Sequence, residues 1–178
     1  MKKHALLIGL VLSAASSIAS ALECKVYVKH VNFYEEIGKV EGRKTTDYSN
    51  HWGKIYKKLG PDYYEEIGKY ASKDTTPYSN HWGKIYQKLG PKYYEDFAKV
   101  EDHRFKIKHV NFYEEVGKYE NAKTTDYSNK WGKLYKKLGP DSYEKYKEIG
   151  KVTDECRDDQ YTLGGAAYLL GIITPQEH

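Results

Sequence analysis

Three pairs of adjacent carboxylates recur along the chain: Glu35-Glu36, Glu65-Glu66 and Glu114-Glu115. Two carboxyl groups of unlike environment facing one cleft are the machinery of glycoside hydrolysis. A catalytic centre, however, is normally built once. These pairs come in triplicate beside lysines, the pattern of a solvated face with weak ion-pair support. No HExxH, GxSxG or phosphate-loop pattern accompanies them, and neither cysteine stands beside a base. The residues therefore predict a protein that is not an enzyme, with a cell-wall hydrolase as the weakest alternative.

Histidines offer a second chemistry. His51 and His81 occupy equivalent positions, which Lys130 takes in a third copy. Metal ligation needs its donors about 2 Å from one ion, whereas equivalent sites in stacked helical repeats lie about 10 Å apart. The same objection applies to His30 and His109, so no metal or cofactor is expected. Tyrosine is the outstanding component, 19 of 178 residues. Tyr56, Tyr63, Tyr86 and Tyr135 are expected on buried faces, with Tyr64 and Tyr94 at their edges. Rigid amphipathic rings there suit recognition of a protein or of a sugar face. The candidate partner-binding residues are Tyr64, Tyr94, Asn50, His51 and Lys54. The equivalents Asn80, His81, Lys84, Asn129, Lys130 and Lys133 complete the set.

These residues sit in a repeat. YSNHWGKIYKKLGPDYYEEIGK at 48–69 returns 30 residues later as YSNHWGKIYQKLGPKYYEDFAK, and from Tyr127 as YSNKWGKLYKKLGPDSYEKYKEIGK. KHVNFYEEIGK at 29–39 returns as KHVNFYEEVGK at 108–118, an offset of 79 that also relates Trp52 to Trp131. Repeat units are expected over about 45–72, 75–103 and 124–153, with related half starts at 25–41 and 104–120. The tetratricopeptide pattern does not fit, because the Gly60-Pro61 turn follows Trp52 too closely.

Each unit reads as a helix–turn–helix. Thr76 suits an N-cap and Pro77 a first helical position. Tyr78, Trp82, Ile85, Tyr86 and Leu89 fall at helical spacing, and Gly90-Pro91 would stop one helix and start the next. Tyr93, Tyr94, Phe97 and Val100 then share one side of the second helix. Three extra residues in the third copy are about one helical turn, which supports the same reading. Small pairs such as Ser49 with Gly53, Ser79 with Gly83 and Ser128 with Gly132 would form grooves for neighbouring helices. Only 25–31 and 104–110 alternate with period two, and these two are expected to pair as a short β ribbon. A last helix is expected over about 157–173. The fold class is therefore mainly α, tandem repeats closed into a bundle or curved array.

Residues 1–21 carry a cationic start, an apolar run and Ala19-Ser20-Ala21, the pattern of a cleaved signal peptide. That leaves residues 22–178 as a single domain, periplasmic or secreted. In an oxidising compartment Cys24 and Cys156 read as a disulfide. Without Lys2 and Lys3 the formal charge of +4 falls to +2, which gives no support to nucleic-acid binding, and no apolar run after residue 21 is long enough for a membrane helix. The sequence thus points to an exported, non-enzymatic binding protein. A protein partner (for an inhibitor, immunity or adaptor role) is the first expectation, and a cell-wall or surface glycan the alternative.

Overall fold

The structure, a computed structural model, describes residues 23–41, 53–72 and 79–176. It overturns the mainly α reading: the repeated units are β-hairpins, not helix pairs. The strands are β1 (Glu23–Lys29), β2 (Tyr34–Glu41), β3 (Gly53–Lys58), β4 (Tyr64–Tyr70) and β5 (Lys84–Lys88). They continue with β6 (Tyr94–Glu101), β7 (Arg104–Lys108), β8 (Tyr113–Glu120), β9 (Lys133–Lys137) and β10 (Tyr146–Val152). Each pairs antiparallel with its sequence neighbours, and β1 pairs with β10, which closes the sheet into a barrel. One helix follows, α1 (Gln160–Leu169).

Five hairpins make the barrel, and the two half starts are simply two of them. The segments beginning at 25 and 104 are strands but do not pair with each other. β1 lies between β2 and β10, and β7 lies between β6 and β8. Every hairpin slips register at the same place, where Ile37, Ile67, Phe97, Val116 or Ile149 is the extra residue. Such a bulge sharpens the twist that closure requires.

Inward positions alternate with outward ones along each strand. Val26, Ile55, Ile85, Phe105 and Leu134 from the odd strands face inward, as do Val40, Tyr70, Val100, Tyr119 and Val152 from the even strands. All of these are buried. The lumen they line is filled by α1, whose Thr162 to Ala167 are buried in succession. A helix buried all round needs small side chains to fit between facing walls. A Cβ on Gly164 would lie 2.9 Å from Val100 and 3.0 Å from Ile85, and one on Gly165 would lie 3.1 Å from Val40 on another strand. Asp159 caps the helix, accepting from the Tyr161 N–H at 3.1 Å and the Thr162 hydroxyl at 2.9 Å. The disulfide Cys24–Cys156, with its Cα atoms 5.9 Å apart, ties the start of β1 to the turn that leads into α1.

Several residues expected to serve helices serve turns and strands instead. Gly90-Pro91 is a turn, but it joins β5 to β6. The three extra residues of the third copy fall in the turn at 138–145, where an odd insertion leaves both strand faces unchanged. Gly83 and Gly132 open strands with φ of +76° and +74° rather than lining helix grooves. Gly68 lies flat against the neighbouring strand, where a Cβ would come 2.2 Å from the Tyr86 carbonyl oxygen. Tyr63, expected in the core, is 64 % exposed. Thr76, Pro77, Tyr78 and residues 1–21 lie outside the described residues.

Candidate binding surfaces

The outer wall carries a belt built from one residue pattern repeated by the hairpins. In each, the residue after the tip is a tyrosine and a carboxylate follows two positions later, both outward. Tyr64 donates to Glu36 Oε1 at 2.6 Å, Tyr34 to Glu148 Oε1 at 2.5 Å, Tyr146 to Glu115 Oε1 at 2.5 Å, and Tyr94 to Glu66. Each bond joins adjacent hairpins. Lysines complete the acceptor's surroundings: Glu36 meets Lys25 and Lys58, both at 3.3 Å, and Glu66 meets Lys54 at 3.0 Å and Lys88 at 3.6 Å. Burial pushes the Glu36 and Glu66 carboxyls up, but the tyrosine and lysine hydrogen bonds outweigh it and hold both below the ordinary range. The reciprocal effect on Tyr64, its bond to Glu36 first and burial second, pushes the phenol up to about 12. Lys69 lies 4.2 Å from the Tyr94 ring centroid and Lys39 4.9 Å from that of Tyr64, adding cation–π attraction.

The belt is interrupted at one boundary, between the β5–β6 and β7–β8 hairpins. There Asp96 stands where the others have Glu, one methylene shorter, and Lys108 holds its Oδ1 at 2.8 Å. Among the described residues the Tyr113 hydroxyl makes no hydrogen bond, and Tyr113 is 36 % exposed. A cleft of about 500 Å³ opens beside it, lined also by Trp82, Tyr161, Asn80, Asp102 and Gln160.

The barrel ends differ. At the end where α1 begins lie the turn Asp102-His103, with φ of 50° and 63°, and the 3-10 turns Ser79–His81 and Ser128–Lys130. At the other end are all five hairpin tips, and these expose apolar side chains. Val31 is 95 % and Val110 98 % exposed; Phe33, Leu59, Tyr63, Leu89, Tyr93, Phe112 and Tyr143 complete a crown. The tips are ordered by backbone bonds, including His30 N–H to the Phe33 carbonyl at 2.9 Å and Leu59 N–H to the Tyr63 carbonyl at 2.9 Å. His30 stacks on Phe33 with centroids 4.5 Å apart, and His109 stacks on Phe112 at 4.3 Å.

The sequence candidates separate into two places. Lys54, Lys84, Lys133, Tyr64 and Tyr94 stand on the wall, the lysines paired with Glu66, Asp96 and Glu148. Asn80, His81, Asn129 and Lys130 sit at the α1 entry end, where His81 Nδ1 lies 3.0 Å from the Tyr86 hydroxyl. Asn50 and His51 lie outside the described residues. The carboxylate pairs split across the sheet, so that Glu36, Glu66 and Glu115 join the belt while Glu35, Glu65 and Glu114 remain exposed. Among the described residues no cluster of three or more His, Cys, Asp or Glu side chains could hold a metal ion. No helix is long and apolar enough to cross a membrane, and the wall's outward Lys, Glu and Tyr are the reverse of a lipid-facing barrel pattern. Sequence reasoning missed the crown, since Leu89 and Tyr93 fall on the expected helix faces and Val31 in the expected ribbon. The signal that could have found it is their position flanking the turn residues Asn32 and Gly-Pro. No protein-family model, curated protein or solved structure matches the chain.

Proposed function

We propose that this is an exported, non-enzymatic binding protein that docks on another protein through the crown of hairpin tips. The observation that carries the proposal is the exposure of apolar residues on all five tips at one end, on turns whose backbone is already hydrogen-bonded. Contiguous exposed apolar surface is costly unless something covers it, and ordered aromatic side chains are the best anchors for a partner because little freedom is lost on binding. The leader-like residues 1–21 and the disulfide are compatible with export. An inhibitor, immunity or adaptor role belongs to this class.

The test uses residues 22–178, immobilised with the disulfide intact and exposed to envelope and culture-supernatant extracts. The doubly substituted Phe33→Ser, Phe112→Ser protein runs in parallel. A stoichiometric protein retained by the unaltered chain and released by the variant supports the proposal. Equal retention by both proteins refutes the crown as the docking end.

A further inference from the structure

We infer, on the reading that the crown is the docking end, that the protein it docks on presents an acidic segment with apolar side chains. That segment lies in a cleft at the crown's edge, between the β7–β8 and β9–β10 hairpins. The charge of the cleft comes from a break in a repeated pairing. Each odd strand ends in a lysine, and four of them pair with a belt carboxylate: Lys29 with Glu148 at 2.9 Å, Lys58 with Glu36 at 3.3 Å, Lys88 with Glu66 at 3.6 Å and Lys108 with Asp96 at 2.8 Å. The fifth, Lys137, forms no ion pair among the described residues. Its carboxylate, Glu115, is met by Arg104 at 3.5 Å, and the same guanidinium donates to the Tyr146 hydroxyl at 2.9 Å. Burial pushes the Glu115 carboxyl up; the Tyr146 bond, then Arg104, Lys137 and Lys145, bring it below its ordinary range. Glu115 is satisfied without contact to either lysine.

Lys136, Lys137 and Lys145 line a cleft of about 590 Å³. Lys136 reaches the Gly171 carbonyl oxygen at 3.4 Å, and Lys145 lies 5.7 Å from the Tyr146 ring centroid. Neither forms an ion pair among the described residues. The two acids of the cleft are engaged, Glu115 as above and Glu114 with the His109 ring at 3.0 Å. The floor beneath the lysines is apolar: Ile107 and Val116 pack on the core, and Ile172 is 2 % exposed. Tyr143, a crown residue, forms the lip, so the cleft continues the crown. Cations above an apolar floor complement a carboxylate carried beside an apolar side chain. An inorganic anion would use the lysines and leave the floor bare. A peptide can also use the backbone. The β8–β9 ladder ends at Gly117↔Lys136, so residues 114–116 and 137 have no strand partner across the cleft, and an extended segment can bond to such an edge.

The probes are three end-blocked, fluorescently labelled peptides, ELELELE, KLKLKLK and ESESESE, titrated with residues 22–178 and followed by anisotropy. ELELELE is expected to bind, and the other two at least about tenfold more weakly. Lys137→Gln with Lys145→Gln should weaken ELELELE binding at least about fivefold, and Tyr143→Ser should weaken it several-fold. Tyr143 is fully exposed, so its replacement leaves the fold intact. Lys92→Gln, at an exposed position of the β5–β6 tip outside the cleft, should leave the affinity within about twofold. Absence of ELELELE binding at about 1 mM overturns the inference, as does binding that the double lysine variant leaves unchanged. Attachment to phosphatidylglycerol vesicles that this variant abolishes, with no peptide bound, overturns it in favour of a lipid headgroup. Phe33→Ser with Phe112→Ser spares the cleft and should leave peptide binding unchanged. Peptide failure beside an extract protein that this crown variant releases therefore refutes the acidic segment alone. Equal retention of that protein by both chains refutes the crown itself.

Discussion

The hydroxyl of Tyr64 donates to Oε1 of Glu36 at 2.6 Å across the boundary between two hairpins. The residues are 28 positions apart, and the bond recurs wherever a belt tyrosine meets a glutamate of the adjacent hairpin. Backbone pairing closes the barrel, and this belt locks its outer surface. Its energetics rest on carboxylates that remain charged.

Those carboxylates give stability a defined pH dependence. Glu36, Glu66, Glu115 and Glu148 are all held below their ordinary value in the folded protein. A depressed carboxyl contributes fully above its unfolded value, near 4.5, and the contribution is lost as pH falls through the lower folded value. Thermal melts followed by circular dichroism between about pH 2 and pH 7 should show a steep loss on the acid side. Tyr64→Phe should lower stability at neutral pH by about 1 kcal/mol. It should also move the onset of acid loss to higher pH, because Glu36 loses the strongest bond favouring its charged form. An acid transition unmoved by this substitution would show that the belt bond is energetically idle.

Gly68 provides the packing test. A Cβ there would meet the Tyr86 carbonyl oxygen at 2.2 Å and the Tyr168 ring at 3.2 Å. Strand β4 must move away from both β5 and the helix to admit it, so Gly68→Ala is expected to cost about 2–3 kcal/mol. Gly139→Ala, at a turn with no atom within 4 Å of the added carbon, should change stability by less than about 0.5 kcal/mol. Chemical denaturation of the two proteins separates the cases.

The disulfide spans 132 residues. On the chain-entropy account, opening it should remove about 4–5 kcal/mol. Cys24→Ser with Cys156→Ser, or reduction by a thiol, should lower the melting temperature sharply while leaving strand content intact in the cold. A melting temperature indifferent to reductant would mean that the unfolded chain is already constrained by other means.

The crown should be nearly free of structural duty. Phe33 and Phe112 are both 60 % exposed, so replacing them with serine should shift stability by no more than about 0.5 kcal/mol each. Solubility should rise, since exposed apolar surface promotes association. Denaturation curves and light scattering measure both. A large loss of stability would instead make the tips part of the core's support.

Much of the architecture was legible in residue order. The copies at 48, 78 and 127, with the half starts at 29 and 108, mark the five hairpins. Asn32, Gly60-Pro61 and Gly90-Pro91 mark the places where the chain reverses. Cys24 and Cys156 read correctly as a pair. What misled was the side-chain period. A half-buried strand announces itself by strict alternation of apolar and polar residues, and here two features erase that alternation. The outer wall carries Tyr56, Tyr64, Tyr86 and Tyr94, whose rings serve the belt and look like core. In each hairpin the bulge at Ile37, Ile67, Phe97, Val116 or Ile149 shifts the phase by one residue. On the unbulged strand the spacing of Trp82, Ile85, Tyr86 and Leu89, and across the bulge that of Tyr93, Phe97 and Val100, then imitates a helix.

The sequence by itself determined the unit, its copies, its turns and its covalent tie, because these depend on identity and local backbone preference. Only the tertiary structure decided between helix and strand, since a strand's hydrogen bonds lie on another segment and leave no local trace. It alone also decided which tyrosines bond carboxylates, and that beside Asp96, one methylene short, the Tyr113 hydroxyl makes no hydrogen bond among the described residues while Lys99 covers its ring. Those outcomes depend on the distance between hairpins brought together by closure of the barrel around α1.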